Sequence, residues 1–299
     1  MDAKETIRLA RENKIVIPAF NVPHIPVLKP VVQAVVDENS VAMIQVARVE
    51  WEKFTAGSLE AVAEEYAKYG NPEHTILHLD HVPVIDEDLL EVDYASLINR
   101  AIAAGYQSVM VDGSRLPLKE NIKVSSEVIG MAHGAGLPCE AELGAVMGHE
   151  SGPMPPYEEI FLSKKGFTSI HEARAFVSET GVDWLSVAAG NIHGAVAEAT
   201  RNEKKPEARL DIEHIKALYE ATGIPLVLHG GSGIKNEYIL EAIKAGIAKI
   251  NVGTEVRQTY ETALKESSGD IEKARQCVYE KVREIISDFY QIKDSRALL

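Results

Sequence analysis

The chain has 299 residues and carries 45 acidic against 31 basic side chains, a formal net charge of −14 with histidine neutral. Its apolar fraction of 45% and charged fraction of 25% are average for globular proteins, which excludes a disordered chain and a fibre. The acidic balance argues against a nucleic-acid partner, because phosphate backbones bind to basic surfaces. An anionic small molecule is still allowed, because a pocket can be locally positive on an acidic protein.

Cysteine usage and hydropathy indicate a cytoplasmic protein without a membrane partner. The two cysteines, Cys139 and Cys277, lie far apart and form no CxxC motif, which is typical of a reducing compartment. The amino-terminal segment MDAKETIRLARENK is charged and has no apolar core, so we expect no signal peptide there. No run of about 18 apolar residues occurs, so we expect no membrane-spanning helix.

Short apolar segments rich in β-branched residues alternate with longer amphipathic segments along the whole chain. The predicted strands, in chain order, are 15–19, 42–46, 75–79, 108–111, 138–142, 184–187, 226–228 and 247–252. The predicted helices are 27–38, 58–69, 94–104, 118–133, 169–180, 211–222, 237–245 and a long segment from Glu255. Strands that alternate with helices of about 10–15 residues indicate βαβ units and a parallel sheet.

The number of βα units predicts the fold class. Eight units in about 300 residues predict an α/β protein with one (β/α)8 TIM barrel over residues 1–299, including a C-terminal helical extension at about 255–299. The alternative is a doubly wound open sheet, which the same periodicity allows. Glycines follow the helical segments where left-handed C-cap residues are expected. They are Gly70, Gly105, Gly136, Gly181, Gly223 and Gly246.

Three of the histidines directly follow predicted strands. His81 comes after strand three, His193 after strand six and His229 after strand seven. The active site of a parallel barrel lies at the carboxyl ends of its strands, so we expect these imidazoles at one face. Three histidines with an open fourth position are typical of a catalytic zinc site. The alternative is that each is an ordinary loop or core histidine, and His78, which has the same parity as Asp80, is a weaker ligand candidate.

Carboxylates accompany these histidines. Asp80 adjoins His81, where it could serve as an acid–base group or only cap a helix or orient a ligand. Glu142 ends strand five and could orient a metal ligand or replace one. Glu150 lies in the irregular stretch 144–167, and a loop of this length is often functional. It could therefore be a mobile base, or one of the many exposed carboxylates of an acidic protein.

Glycine-rich turns follow strands seven and eight. In the segment HGGSG at 229–233, small residues let the backbone approach a ligand closely. The helix predicted to begin near Lys235 offers free N–H groups to an anion. Asn251, Gly253 and Thr254 follow or end strand eight, and phosphate sites in barrels often lie at these two loops. The alternative is that both segments are plain tight turns.

Seven collinear segments between about residues 15 and 257 resemble one enzyme family. The segments are IPAFNV (17–22), LDH (79–81), VMVDGSRLPLKENI (109–122), EAELGAV (140–146), TGVDWLSVAAGNIHG (180–194), LVLHGGSGI (226–234) and KINVGTEVR (249–257). They resemble the class II, zinc-dependent ketose-bisphosphate aldolases that act on fructose and tagatose 1,6-bisphosphates. The resemblance implies reversible cleavage of a ketose 1-phosphate or 1,6-bisphosphate into dihydroxyacetone phosphate and an aldehyde.

The resemblance also implies a role for each matching residue. His81, His193 and His229 would bind Zn²⁺, Asp80 would handle the proton of the C4 hydroxyl, and Glu150 would be the mobile-loop acid. The strand-five glutamate of the family falls on Glu142. The implied substrate- and phosphate-binding residues are Asn21, Gly194, Gly230, Gly231, Ser232, Asn251, Gly253 and Thr254. The family further implies a monovalent cation, Na⁺ or K⁺, at the phosphate site and assembly as a homodimer or homotetramer.

The departures from the family lie near the distal end of the substrate. Where the family usually has Gln-Val-Ser after strand two, this chain has Gln-Val-Ala followed by Arg48. The residues that carry the chemistry match the family, so we expect the same reaction on a different ketose phosphate. Arg48 or Arg115 could bind a distal anionic group. The alternatives are a metal-dependent sugar-phosphate epimerase or isomerase and a non-catalytic sugar-phosphate-binding barrel. A Schiff base on Lys249 is disfavoured, because the zinc ligands would then be superfluous.

Overall fold

Eight parallel strands close into a barrel in the order of the sequence, with the last strand paired to the first. The computed structural model describes residues 1–144, 157–191, 208–231 and 233–299. The strands are β1 Ile17–Asn21, β2 Ala42–Ala47, β3 Thr75–Pro83, β4 Ser108–Asp112, β5 Cys139–Leu143, β6 Trp184–Val187, β7 Leu226–Leu228 and β8 Ile247–Val252. The predicted TIM barrel is therefore confirmed. The doubly wound alternative is wrong, because an open sheet would leave two unpaired edge strands.

Helices surround the barrel. They are α1 Ala3–Asn13, α2 Leu28–Asp37, α3 Arg48–Lys53, α4 Leu59–Tyr69, α5 Tyr94–Ala104, α6 Leu118–Gly134, α7 Tyr157–Ser163, α8 Ile170–Thr180, α9 Ile212–Thr222, α10 Asn236–Ala245, α11 Thr254–Glu266 and α12 Ile271–Glu284. The helices predicted from the sequence are all present. Three further helices, α1, α3 and α7, were not predicted, and α7 lies in the stretch that was expected to be irregular. None of the described helices is long and apolar enough to cross a membrane.

The missed helix α1 packs against the amino-terminal end of the barrel. Its buried face is narrow, since only Ile7 among its buried residues has a large apolar side chain. Ile7 belongs to one apolar cluster with Ile17 and Met43 from the strands. The helix begins at Asp2, whose carboxylate accepts a hydrogen bond from the Glu5 N–H. The rest of the segment is charged, so hydrophobic periodicity does not predict a helix with such a short apolar face.

The helix-ending glycines take the expected conformation in most places. The positive φ angles are 87° at Gly105, 69° at Gly181 and 70° at Gly223, as a left-handed cap requires. The prediction is wrong for Gly70, which has a φ of −58°. A Cβ atom there would lie 2.7 Å from the Tyr66 ring, so close packing rather than handedness requires glycine.

The C-terminal segment covers this chain's own helical layer. The helices α11 and α12 are antiparallel neighbours in sequence, and α12 packs on α2. The buried positions of α12 include Ala274, Val278 and Val282. They share one apolar core with Val31 and Val35 of α2. The apolar face of this C-terminal segment is therefore buried within the chain.

We predict that Ile7→Ala lowers the free energy of unfolding by about 2–4 kcal/mol, because it removes a fully buried side chain from the cluster beneath the barrel. Urea denaturation measures the change. Leu89→Ala is the matched control, because that leucine is 72% exposed and should change stability by less than about 0.5 kcal/mol. Equal effects of the two substitutions would contradict a structural role for α1.

Candidate active site and metal centre

His81 and His229 lie side by side at the carboxyl ends of β3 and β7. Their ring centroids are 4.4 Å apart, and the possible ligand atoms of Asp80, His81 and His229 all lie within 4.8 Å of one another. His81 has a φ of +32°, and the pairing of β3 with β4 shifts register between Leu79 and Val82. Such an irregularity re-aims a side chain, and strained backbone of this kind is concentrated at functional sites.

Carboxylates surround His81. The Nδ1 atom of His81 lies 3.5 Å from Asp112 Oδ2, and the ligand atoms of His81, Asp112 and Glu142 form a second group of possible metal ligands. Burial alone would lower the pKa of His81, but the charges of Asp80, Asp112 and Glu142 outweigh it and raise the pKa to about 10. The local field therefore favours a positive charge at this point.

His229 is held between two glutamates of one strand. Its Nε2 atom lies 2.8 Å from Glu140 Oε1, and its Nδ1 atom lies 3.0 Å from Glu142 Oε2. Glu142 was predicted as a site residue from the sequence, whereas Glu140 was not. The alternation Glu-Ala-Glu in β5 was the available signal, because residues two apart on a strand face the same side.

Glu140 lies at the centre of a fully buried polar cluster. Its Oε2 atom accepts a hydrogen bond from Trp184 Nε1 at 2.6 Å and lies 2.9 Å from Lys249 Nζ. Burial opposes ionisation of Glu140, but Lys249 and His229 outweigh it and hold the pKa of this carboxyl well below its usual range. Lys249 also donates to Asn251 Oδ1 at 2.7 Å, so a substrate carbonyl would have to displace two acceptors to form a Schiff base.

His78 lies in the same buried layer. Its Nδ1 atom is 2.8 Å from Ser108 Oγ, and its Nε2 atom is 3.7 Å from Glu140 Oε2. Burial and the charge of Lys249 lower the pKa of His78 to about 3, so the ring is neutral. His78 therefore faces inward, as its parity with Asp80 suggested.

Asp80 is a buried carboxylate held by two carboxamides. Its Oδ1 atom accepts a hydrogen bond from Asn251 Nδ2 at 2.9 Å, and its Oδ2 atom accepts one from Asn21 Nδ2 at 3.0 Å. Burial would raise the pKa of Asp80, but the cationic groups of His81 and Lys249 outweigh it, and the pKa is lowered. An ionised carboxylate in this position can accept a proton.

The glycine-rich turns bring backbone close to the strand ends. A Cβ atom on Gly231 would lie 2.8 Å from Ile250 Cγ2, and one on Gly253 would lie 3.3 Å from Asn21 Oδ1. Gly230 has a φ of +70°, and Thr254 begins α11. Four predicted site residues lie outside the described residues: Glu150, His193, Gly194 and Ser232.

Arg48 and Arg115 line one cavity together with His81 and Asp112. The Nη1 atom of Arg48 lies 3.3 Å from Asp86 Oδ2, and Asp86 is only 3% exposed. Arg115 is exposed and forms no ion pair with any residue that the structure describes. Its guanidinium group is therefore available to an anion in the cavity.

Glu50 is a further buried carboxyl group that the sequence analysis missed. Its Oε2 atom accepts hydrogen bonds from the Ala47 N–H at 2.8 Å and from Asn21 Nδ2 at 3.3 Å. Burial, together with the nearby charge of Asp80, raises the pKa of Glu50 to about 8. No signal in the sequence pointed to this residue, because α3 itself was not predicted.

The chain is similar in sequence and in fold to a family of enzymes. Residues 1–295 match the family described as fructose-bisphosphate aldolase class-II. The fructose-bisphosphate aldolase of Streptococcus pneumoniae serotype 4 is 34% identical over 285 residues, covering 94% of this chain and 87% of that protein. The fructose-bisphosphate aldolase of Streptococcus pyogenes serotype M1 is 32% identical over 276 residues, covering 91% and 85%.

A solved structure agrees with these matches. The crystal structure of the YdjI aldolase from Escherichia coli K12 superposes with a TM-score of 0.75 at 28% identity, covering 99% of both chains. The protein is thus a carbon–carbon lyase built on a TIM barrel. It belongs to the class II fructose-bisphosphate aldolase family, as the resemblance of its motifs indicated.

We predict that Glu50→Gln stabilises the protein increasingly as the pH rises from 5 to 8. The folded-state pKa of about 8 lies above the unfolded value near 4.3, so the folded protein keeps a proton that the unfolded chain releases. The contribution of Glu50 to the free energy of unfolding is therefore lost as the pH rises from the unfolded to the folded pKa, by at most about 1.4 kcal/mol per pH unit. Glutamine keeps an oxygen that can accept these hydrogen bonds but does not ionise, so the variant does not lose stability as the pH rises.

Chemical denaturation at several pH values measures this difference. Glu52→Gln is the matched control, because Glu52 lies on the same helix and is exposed. The control should follow the wild-type pH dependence. A difference between Glu50→Gln and wild type that is the same at pH 5 and pH 8 would contradict a protonated Glu50.

Proposed function

We propose that the protein is a zinc-dependent aldolase that reversibly cleaves a ketose 1-phosphate or 1,6-bisphosphate into dihydroxyacetone phosphate and an aldehyde. The observation that supports this most directly is the adjacency of His81, His229 and the buried carboxylate of Asp80 at one end of the barrel. Family membership supports a phosphosugar substrate. The role of each group then follows from the protons it can donate or accept and from the metal ion or phosphate it can hold.

The donor set suits Zn²⁺. His81 and His229 would hold the ion together with His193, and imidazole nitrogens are among the ligands that zinc prefers. Asp112 and Glu140 each reach one ring nitrogen of these histidines, as carboxylates beside metal-bound histidines commonly do. Glu142 would orient His229 or replace a ligand. A zinc ion bound there supplies Lewis-acid polarisation of the substrate carbonyl.

Proton transfer falls to two carboxylates. Asp80 would accept the proton of the C4 hydroxyl while the C3–C4 bond breaks, which releases the aldehyde. The positive charges of His81 and Lys249 keep the carboxylate ionised, and its two carboxamide donors fix its direction. Glu150 would deliver a proton to C3 and complete dihydroxyacetone phosphate. In condensation the same two groups would act in the opposite sense.

The phosphate of the dihydroxyacetone half would bind at the turns after β7 and β8. A Cβ atom would collide with Ile250 at Gly231, and Gly230 has a positive φ, so both positions favour glycine, whose backbone N–H groups would be open to a phosphate. The first turn of α11, with Gly253 as its N-cap, presents free N–H groups and the positive end of the helix dipole. Gly194, Ser232 and Thr254 would complete this site, beside a monovalent cation.

The distal end of the substrate would carry an anionic group. The cavity beside His81 is lined by two guanidinium groups, and the buried carboxylate of Asp86 fixes the direction of Arg48. Guanidinium groups bind planar oxyanions through paired hydrogen bonds. The aldehyde released would therefore be a phosphorylated or otherwise acidic fragment.

A retro-aldol screen of the zinc-loaded protein across ketose 1-phosphates and 1,6-bisphosphates tests the proposed reaction. We predict two carbon fragments as products, loss of activity on chelation, and recovery when zinc is restored. A single rearranged sugar would instead identify an epimerase or isomerase. Activity that is indifferent to chelators, or tight binding without turnover, would contradict the proposal.

We predict that Asp80→Asn lowers kcat by several orders of magnitude, because the amide cannot accept the hydroxyl proton. Zinc content should remain at the wild-type level, since the imidazole ligands are unchanged. Steady-state kinetics with metal analysis measures both. Asp288→Asn, an exposed residue near the C-terminus, is the matched control and should be fully active. A fully active Asp80→Asn variant would rule out this role.

We predict that Arg115→Gln raises KM for a ketose 1,6-bisphosphate roughly 10- to 100-fold, the effect of losing one charge-assisted hydrogen bond. KM for a ketose 1-phosphate with a neutral distal end should change little. Arg174→Gln on the exposed side of α8 is the matched control. Equal changes for both substrates would place the distal group elsewhere.

A further inference from the structure

A buried ammonium group stands at the centre of a hydrogen-bonded chain that ends on Asp80. Lys249 Nζ lies 2.9 Å from Glu140 Oε2 and donates to Asn251 Oδ1 at 2.7 Å. Asn251 Nδ2 donates in turn to Asp80 Oδ1 at 2.9 Å. The side chains of Lys249 and Glu140 are both completely buried, so these bonds act in a medium of low dielectric constant.

The ammonium group decides which way the Asn251 carboxamide faces. An ammonium can only donate hydrogen bonds, so the Asn251 oxygen must be the atom that faces Lys249. The amide nitrogen then necessarily faces the other way, towards Asp80. A reversed carboxamide would turn its oxygen towards the Asp80 carboxylate and its NH2 group towards the Lys249 ammonium, which is unfavourable at both ends.

The second carboxamide on Asp80 is oriented differently. Gln45 Nε2 donates to Asn21 Oδ1 at 2.9 Å, which turns Asn21 Nδ2 towards Asp80 Oδ2. This arm contains no cationic group. Only the Asn251 arm is anchored by a charge, so it should be the stronger constraint on the Asp80 carboxylate.

The same lysine also acts on the metal-binding side. Glu140 accepts through Oε1 from His229 Nε2 and faces Lys249 through Oε2. Lys249 thereby balances the charge of the carboxylate that orients His229. The Lys249 ammonium group therefore contacts both Glu140, the partner of His229, and Asn251, the partner of Asp80.

We propose that Lys249 is a positioning residue that orients Asp80 through Asn251 while it holds the Glu140 partner of His229. Lys249 is thus neither a Schiff-base nucleophile nor a substrate contact. Asn251, which the sequence motif suggested as a phosphate-binding donor, instead acts through Asp80. This assignment rests on the proposed aldolase function for its kinetic consequence, but the orientation of the carboxamide can be tested without it.

The kinetic test uses Lys249→Met and Asn251→Leu, each close in size to the residue it replaces. Both should lower kcat for cleavage roughly 10- to 100-fold, as expected for loss of a hydrogen bond to a charged group. KM should stay within about threefold of the wild-type value. Lys244→Met and Asn99→Leu on exposed helix positions are the matched controls and should be fully active. An unchanged kcat, or a raised KM at constant kcat, overturns the proposal.

Lys249→Met leaves Glu140 as an unpaired buried carboxylate and can fail to fold for that reason. The double variant Lys249→Met/Glu140→Gln removes both charges and provides the folded comparison. Its kcat should be lowered at least as far as that of Asn251→Leu. A double variant with wild-type kcat would overturn the role of the lysine.

A measurement on labelled protein is independent of turnover. With 15N-labelled asparagine, the side-chain amide protons of Asn251 should exchange slowly with solvent in the wild type and much faster in the Lys249 variants. Those of Asn21 should remain protected, because Gln45 holds that arm. Exchange of Asn251 in the wild type as fast as that of the exposed Asn99 overturns the proposal. If the wild type showed no aldolase activity but its Asn251 amide protons exchanged slowly, only the proposed aldolase function would be refuted.

Discussion

The site depends on the pairing of buried charges inside the barrel. Burying an ionised side chain is costly unless an opposite charge and hydrogen bonds compensate it. Here Glu140 is matched by Lys249 and faces His229, while Asp80 lies between two carboxamides and close to His81. Each group is therefore held in one orientation by its neighbours, and Glu140, Lys249 and Asp80 are buried away from water.

Barrel closure is what brings these residues together. Glu140, Lys249 and Asp80 come from β5, β8 and β3, which are not adjacent in the sheet. Their side chains meet only because alternate residues of every strand point into one interior. The layer nearer the carboxyl ends then presents His81, His229 and Asp80 to a ligand, and the layer beneath it presents the groups that orient them.

Much of this arrangement could be predicted from the sequence. The alternation of strands and helices predicts the barrel, and the positions of His81 and His229 after their strands predict that they meet at one end. The contacts of Glu140 could not be predicted, because they depend on side chains that are distant in sequence. Glu50 and α1 were missed because a short helix with a narrow apolar face carries almost no periodic signal.

The proposed function depends on a zinc ion held by His81, His193 and His229 beside Asp80. Anomalous diffraction at the zinc absorption edge from crystals of the zinc-loaded protein tests it most directly. We expect one strong peak within bonding distance of all three histidines, about 2.0–2.1 Å from their ring nitrogens. A peak bound only by Asp112 and Glu142, or no peak near His229, would contradict it.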